Sequence, residues 1–375
     1  MAATSAASST PNSFDMSSGF PPNPSLKPDE LHYCTQALKF FKEKRTHPLP
    51  IIKKEFTDLK GQRLTQSELD QSCSDANLHK SKNRYDDVLP YDAHAHTIVL
   101  DPCTADISSG TRYINASLIQ VNPSESISRF IATQGPLDDT FEDFWEMVIQ
   151  NHCPAVVMLT GLDEGGIEKC GDYLPAKNGV RLFKNNIRTD TRRTTTTNSR
   201  VVLRDMAVIY KEEPPLPVLH VEYPKWPDHG VPGDTSAVRD IFRRLRHLTS
   251  SKGPIVVHCS AGVGRTGTYC VIHNTIQRIL IGDMSALNLI TTISTFRSQR
   301  MRMVQSAEQY VFCYDAIIAE LQDLISGSNT EESFKCRSNS RFTADFDAII
   351  VEAQHNVYSL FSCEMTSLTL LHPAV

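Results

Sequence analysis

Between residues 256 and 268 the chain reads VVHCSAGVGRTGT, with Cys259 and Arg265 six positions apart and only small residues and one Val between them. Upstream, GPIVV (253–257) is a β-branched run after a Gly-Pro break, which predicts a buried strand. Downstream, TGTYCVIHNTIQRIL (266–280) sets Val271, Ile272, Thr275, Ile276 and Ile279 at helical spacing, which predicts a helix packed on that strand. The link is too small and glycine-rich to pack, so its backbone N–H groups are free to face a ligand. Strand, tight loop and helix N-terminus together make an anion site with Cys259 at its base. A thiol ordinarily titrates near ~8.5, and a helix N-terminus with a nearby cation brings such groups to roughly 3.5–7.5. A thiolate is therefore expected at Cys259, with Arg265 holding two phosphate oxygens and the loop amides the rest. That arrangement suits covalent phosphoryl transfer to sulfur.

Other readings of the loop fit less well. Gly262, Gly264 and Gly267 spell G-x-G-x-x-G, and Asp283 lies about 20 residues on, as in a dinucleotide turn. Asp283 directly follows a helix, however, with no second strand to carry it. No Lys-Ser/Thr pair follows the glycines, so a P-loop is excluded. A buried Cys in a plain turn leaves Arg265 without a purpose.

The run His258, Cys259, Arg265, Thr266, read as H-C-x5-R-[ST], resembles the signature of the protein tyrosine phosphatases. The same resemblance extends over roughly residues 75 to 325, with the wording of the soluble, tyrosine-specific plant members in KNRYDDVLPYD, RYINASLI and WPDHGVP. It implies that Cys259 is the nucleophile, that Arg265 and the backbone of Ser260, Ala261, Gly262, Val263 and Gly264 bind phosphate, and that the Thr266 hydroxyl stabilises the departing thiolate. His258 is expected to support the cysteine's environment rather than carry protons.

KSKNRYDDVLPYD (80–92) by itself is a charged surface loop. The resemblance makes it a phosphotyrosine-recognition loop, in which Tyr85 stacks on the substrate ring and sets pocket depth while Asp87 holds the substrate backbone. In WPDHGVP (226–232), Pro227, Gly230 and Pro232 punctuate a loop around Asp228 and Trp226. Phosphoester cleavage needs a proton for the leaving phenolate, and an Asp on a hinged loop can supply it. The family more often has an aromatic residue where His229 stands. GLDEGGIEKCGDYLP (161–175) is a turn-rich link. By resemblance it carries Glu164 toward Arg265 and Lys169 toward the acid loop, with Gly165 where the family often has Lys. Ser306 and Gln309 fit a capping box at the start of a helix. Gln305 is implied to position the attacking water, with Gln309 secondary.

The elements that must carry these residues follow from pattern. PDELHYCTQALKFFKEKR (28–45), 51–59 and 67–73 read as helices; 111–121, 129–137 and 154–160 as strands; 138–152 as a helix; and 180–222 as a strand-rich section. Strands alternating with helices predict an α/β fold around a central twisted, mixed sheet flanked by helices. The helix after the acid loop places Val238, Ile241, Phe242, Leu245 and Leu248 inward and Arg243, Arg244 and Arg246 outward. Arg188, Arg192, Arg193, Arg200 and Arg204 read as a solvated sheet face or, alternatively, a docking patch for acidic substrates.

The organisation expected is a disordered tail (1–28), packing helices (29–74), a catalytic domain (75–325) and a poorly ordered tail (326–375). With net charge −5 and 22% charged residues, the chain offers no nucleic-acid surface. Its ten Cys lack paired spacing, and no apolar run of about 18 residues occurs. The compartment expected is the cytoplasm, with the nucleus as an addition. No cofactor or metal, no membrane anchor and a monomer are expected. The resemblance implies phosphotyrosine proteins as substrates, signalling kinases such as MAP kinases among them. Redox sensitivity follows from a reactive thiolate. A phosphotyrosine-binding pseudophosphatase and a dual-specificity phosphatase are the alternatives.

Overall fold

The computed structural model describes residues 14–60, 66–92, 96–101, 112–121, 124–176 and 179–339. The chain divides into two units, residues 1–325 and 326–375, and the site lies in the first. In order, the elements are α1 Pro28–Thr46, α2 Leu49–Lys60, α3 Gln66–Ser72, α4 Ser74–Leu78, β1 Thr97–Leu100, β2 Arg112–Ile119, β3 Phe130–Thr133, α5 Phe141–Gln150 and β4 Ala155–Met158. A two-stranded hairpin follows, β5 Asp163–Glu164 and β6 Ile167–Glu168, then β7 Val180–Phe183, β8 Ile187–Thr196, β9 Val202–Tyr210 and β10 Leu216–Glu222. The remainder is α6 Ser236–Leu245, β11 Ile255–His258, α7 Gly264–Leu280, α8 Leu289–Gln299 and α9 Ala307–Asn339.

The central sheet has nine strands in the order β1-β2-β3-β11-β4-β10-β9-β8-β7. β3, β11, β4 and β10 run parallel, and the flanking pairs are antiparallel. The predicted mixed α/β sheet is therefore the one present. β11 sits between β3 and β4 and is buried throughout, which is why its sequence is an uninterrupted β-branched run. Ile255 and Val257 face one core, with α1, α6, α7 and α9; Val256 faces the other, with Phe144 and Trp145 of α5. The strand that leads into Cys259 is thus clamped on both faces.

Two sequence expectations are corrected here. Residues 14–27, read as part of a disordered tail, pack on α6: Met16 is buried, and the carbonyls of Asp15 and Gly19 accept from Arg244 at 2.9 and 2.6 Å. Residues 1–13 lie outside the described residues. Arg243 and Arg244, expected on the solvent face of α6, are buried instead. Arg243 pairs with the fully buried Glu320 at 2.8 Å, and Arg244 with Asp240 at 2.8 Å. Charged groups enter an interior only with partners, and Glu320 lies 77 positions away, where no local pattern reveals it. Residues 326–339 continue α9 as helix, and 340–375 fall outside the described residues. Among the described residues no helix is long and apolar enough to cross a membrane.

Candidate active site

The loop from Cys259 to Val263 joins β11 to α7. Its carbonyls are all engaged by the scaffold behind it. Cys259 O faces His258 Nδ1 at 3.3 Å, and Ser260 O accepts from Gly135 N at 2.8 Å. Ala261 O and Gly262 O accept from Arg300 at 3.1 and 2.8 Å, and Val263 O from the amides of Gly267 and Val304 at 3.0 and 3.1 Å. Carbonyls turned outward leave the amides turned inward, which makes an anion-binding concavity at the N-terminus of α7. Gly262 N–H points at Cys259 Sγ, 3.3 Å away. Gly262 has φ +72°, and a Cβ there would stand 2.1 Å from Thr133 O, so only glycine fits.

Arg265 is 2% exposed and held on several sides. Its Nη1 donates to Glu164 Oε1 at 2.5 Å, Trp226 O at 3.1 Å and Leu159 O at 3.2 Å; its Nη2 donates to Glu164 Oε2 at 3.2 Å and Asp228 Oδ1 at 2.7 Å. Burial works against its charge, but Cys259, Glu164 and Asp228 outweigh that and hold it firmly protonated. Glu164 arrives on the β5–β6 hairpin, whose two turn residues, Gly165 and Gly166, have φ +65° and +82°. A two-residue hairpin with positive φ at both positions demands such residues, which accounts for Gly165 where Lys is commoner. Lys169 leaves the same hairpin and donates to Asp228 Oδ2 at 2.7 Å.

Asp228 is thus tied to two cations. Burial raises its pKa, yet the bonds from Lys169 and Arg265 more than offset this and bring it to about 2. Trp226 fixes the loop: its ring is fully buried beside Phe312, and Nε1 donates to Gly230 O at 3.1 Å. His229 adopts φ +54° with an exposed side chain, and its own amide donates to Asp228 Oδ1 at 3.1 Å.

The remaining expected residues gather around the same loop. Tyr85 Oη lies 2.8 Å from Ser260 Oγ, although 175 positions separate them. Asp87 is exposed and paired with Arg302 at 2.5 Å. Gln305 Oε1 and Gln309 Nε2 lie 2.8 and 3.1 Å from where a side chain on Gly264 would begin. Gln309 also makes the expected capping box: its Oε1 accepts from Ser306 N at 3.3 Å, and Ser306 Oγ accepts from Gln309 N at 3.2 Å. Among the described residues Thr266 Oγ1 is buried with no hydrogen-bond partner. His258 is fully buried, and burial pushes it down to about 4, so it is neutral at pH 7.

Sequence reasoning missed Arg300. It is fully buried and braces the loop through Ala261 O and Gly262 O, with Asn115 Oδ1 at 2.8 Å. Burial lowers it to about 10, still protonated at neutral pH. In the run RSQRMRM nothing separates it from a surface arginine. Arg84 clamps Gly135 O and Pro136 O at 3.0 and 2.9 Å, behind Ser260.

A thiol under inward-facing amides, beside a clamped guanidinium and a loop carboxyl, is an arrangement able to hold a phosphate group over sulfur. The family model for protein-tyrosine phosphatase matches residues 79–319, and the chain belongs to that family of enzymes. It is 53% identical over 327 residues to the Arabidopsis thaliana "Protein-tyrosine-phosphatase PTP1", covering 85% of this chain and 94% of the relative. It is 35% identical over 253 residues to the rat "Tyrosine-protein phosphatase non-receptor type 20", covering 66% of this chain and 56% of that one. Identity to the rat "Receptor-type tyrosine-protein phosphatase C" is 34% over 268 residues, covering 70% of this chain and 20% of the relative. The chain therefore spans nearly the whole Arabidopsis relative, about half of the second and a fifth of the third.

Proposed function

We propose that the protein hydrolyses phosphotyrosine in proteins through a phosphocysteine on Cys259. The thiolate attacks phosphorus opposite the leaving phenolic oxygen. The amides of residues 260–265 and the Arg265 fork stabilise the equatorial oxygens. Asp228 gives its proton to the departing phenolate oxygen, which leaves as the phenol. Water oriented by Gln305 then attacks the phosphocysteine and gives its proton to Asp228, while Thr266 Oγ1, buried without a partner, donates to the departing thiolate. Tyr85 lies against the substrate ring, and Asp87, released from Arg302, holds the substrate backbone.

The observation that carries this reading is the Arg265–Asp228 contact at 2.7 Å. With its carboxyl near pKa about 2, Asp228 has no proton to give at neutral pH. An arriving phosphate dianion competes for the same guanidinium nitrogen and places negative charge beside the carboxylate. Both effects raise the pKa of Asp228, so the substrate itself loads the general acid.

The Tyr85 ring beside Ser260 favours a deep pocket over a dual-specificity site, and intact Cys259, Arg265 and Asp228 weigh against a pseudophosphatase. Signalling kinases, MAP kinases included, are the substrates the resemblance favours. A monomer in the cytoplasm and nucleus is the state we propose. Cys259→Ser is expected to abolish turnover while a phosphotyrosine peptide still binds; full activity in that variant ends the nucleophile assignment. Phosphothreonine turnover within tenfold of phosphotyrosine in parallel assays ends the deep-pocket assignment.

A further inference from the structure

Behind the nucleophile, three fully buried side chains form a continuous run of hydrogen bonds. Arg204 Nη1 stands 3.4 Å from His220 Nδ1, and His220 Nε2 is 2.8 Å from Tyr173 Oη. Tyr173 Oη is 2.7 Å from His258 Nε2, and His258 Nδ1 is 3.3 Å from the carbonyl oxygen of Cys259. The sequence offers Arg204 a solvated sheet face or a docking patch. In the structure Arg204 is the cross-strand partner of His220, held by Glu222 at 2.6 Å.

The direction of this run follows from valence. Burial keeps both imidazoles neutral, so each has one N–H and one lone pair, and the phenol has a single proton. A guanidinium can only donate, which makes His220 Nδ1 an acceptor and puts that proton on Nε2. His220 Nε2–H then donates to Tyr173, Tyr173 O–H donates to His258 Nε2, and the His258 proton sits on Nδ1. There it donates to the Cys259 carbonyl, which can only accept, so the far end agrees. The opposite direction sets an N–H against a guanidinium and a lone pair against a carbonyl oxygen.

We propose that Arg204 and His220 are positioning residues for the nucleophile: they fix the polarity of the Arg204–His220–Tyr173–His258 run, so that its bond dipoles point their positive ends at Cys259. This rests on the role assigned to Cys259 above. Aligned hydrogen bonds in a low-dielectric interior reinforce one another, and a positive dipole end toward Cys259 favours its ionised form. The other charged groups near the run are Glu222 and Asp172 with the Cys170 thiol around Tyr173, and Arg84 beside His258. The outer end opens on a cavity of 310 Å³ lined by Arg204, Glu222, Asp172, Leu162 and Leu174, so the polarity is set close to solvent.

Two measurements on the full chain test this. Nitrogen NMR of histidine-labelled protein is expected to find His220 as the Nε2–H tautomer and His258 as the Nδ1–H tautomer. His258 as Nε2–H overturns the proposal, whatever the variants do. Arg204→Met is expected to raise the pH at which Cys259 is half-reactive to iodoacetamide by about 0.5–1 unit, the equivalent of one hydrogen bond reversed. It should lower kcat with KM unchanged, and Arg204→Lys, which keeps a cationic donor, should restore both. A merely structural role moves the thermal midpoint but not the alkylation profile. A Met variant with the wild-type profile, or a Lys variant no better than Met, overturns the proposal. A wild-type Cys259 that resists alkylation at every pH defeats the nucleophile assignment instead, and the tautomers remain readable.

Discussion

Replacing Glu164 by Gln isolates what holds the phosphate clamp. Glu164 takes both terminal nitrogens of Arg265, at 2.5 and 3.2 Å, and the guanidinium is 2% exposed. When phosphate competes for the face of Arg265 that Asp228 occupies, Glu164 remains as the charged partner holding the fork in plane. Gln keeps one acceptor but turns an amide N–H toward the other nitrogen and removes the charge. The pair is too buried to belong with exposed ion pairs worth almost nothing. A hydrogen bond to a charged group contributes about 1.5–3 kcal/mol, which corresponds to a loss in kcat/KM of roughly 10- to 150-fold. The assay is steady-state kinetics with p-nitrophenyl phosphate and a phosphotyrosine peptide in parallel. Both should fall by the same factor, because the loss is at the phosphate and not at the ring or peptide. A change under about threefold, or a loss confined to the peptide, refutes the reasoning.

Asp228→Asn is expected to lower kcat by about 10²–10⁴-fold on a phosphotyrosine peptide. The loss should be smaller on p-nitrophenyl phosphate, whose leaving group needs no proton; equal losses on both substrates contradict the general-acid role. Burial holds His258 at about 4 and His273 at about 3, against an ordinary value of 6.5. The unfolded chain therefore takes up protons below pH 6.5 that the folded protein refuses. The stability these histidines contribute is complete above 6.5 and lost as pH falls toward 4, by up to about 1.4 kcal/mol per pH unit for each. Urea midpoints at pH 7, 6 and 5 check this, and His273→Gln should flatten the slope. Deleting residues 1–22 leaves the buried Arg244 without the carbonyls of Asp15 and Gly19. A loss of about 1–3 kcal/mol is expected in urea unfolding, where a disordered tail predicts none.

Much of the site was legible because its parts are local. Cys259, the small-residue loop and Arg265 form one strand–loop–helix unit, and the β-branched run and helical stripe beside them announce that unit. The capping box of Ser306 and Gln309 is likewise a matter of three-residue spacing. The mixed sheet followed from strands alternating with helices, although the strand order did not. What stayed hidden depends on partners far along the chain. Arg243, Arg244, Arg204 and Arg300 are each written as surface arginines. Their partners are Glu320 for Arg243, the carbonyls of Asp15 and Gly19 for Arg244, Glu222 on the next strand for the half-buried Arg204, and the loop carbonyls for Arg300.

By itself the sequence determined which chemistry is possible: a thiol and a guanidinium under a helix N-terminus, with a loop Asp to handle protons. Only the tertiary structure decided the state of those groups. It brought Lys169 and Glu164 from one hairpin to Asp228 and Arg265, and the two cations hold the Asp228 carboxyl ionised. It also set Arg204 against His220 across two strands, at the outer end of the run of hydrogen bonds that reaches the Cys259 carbonyl. Charge state and bond direction belong to the surroundings of a residue, and those surroundings are assembled by the fold.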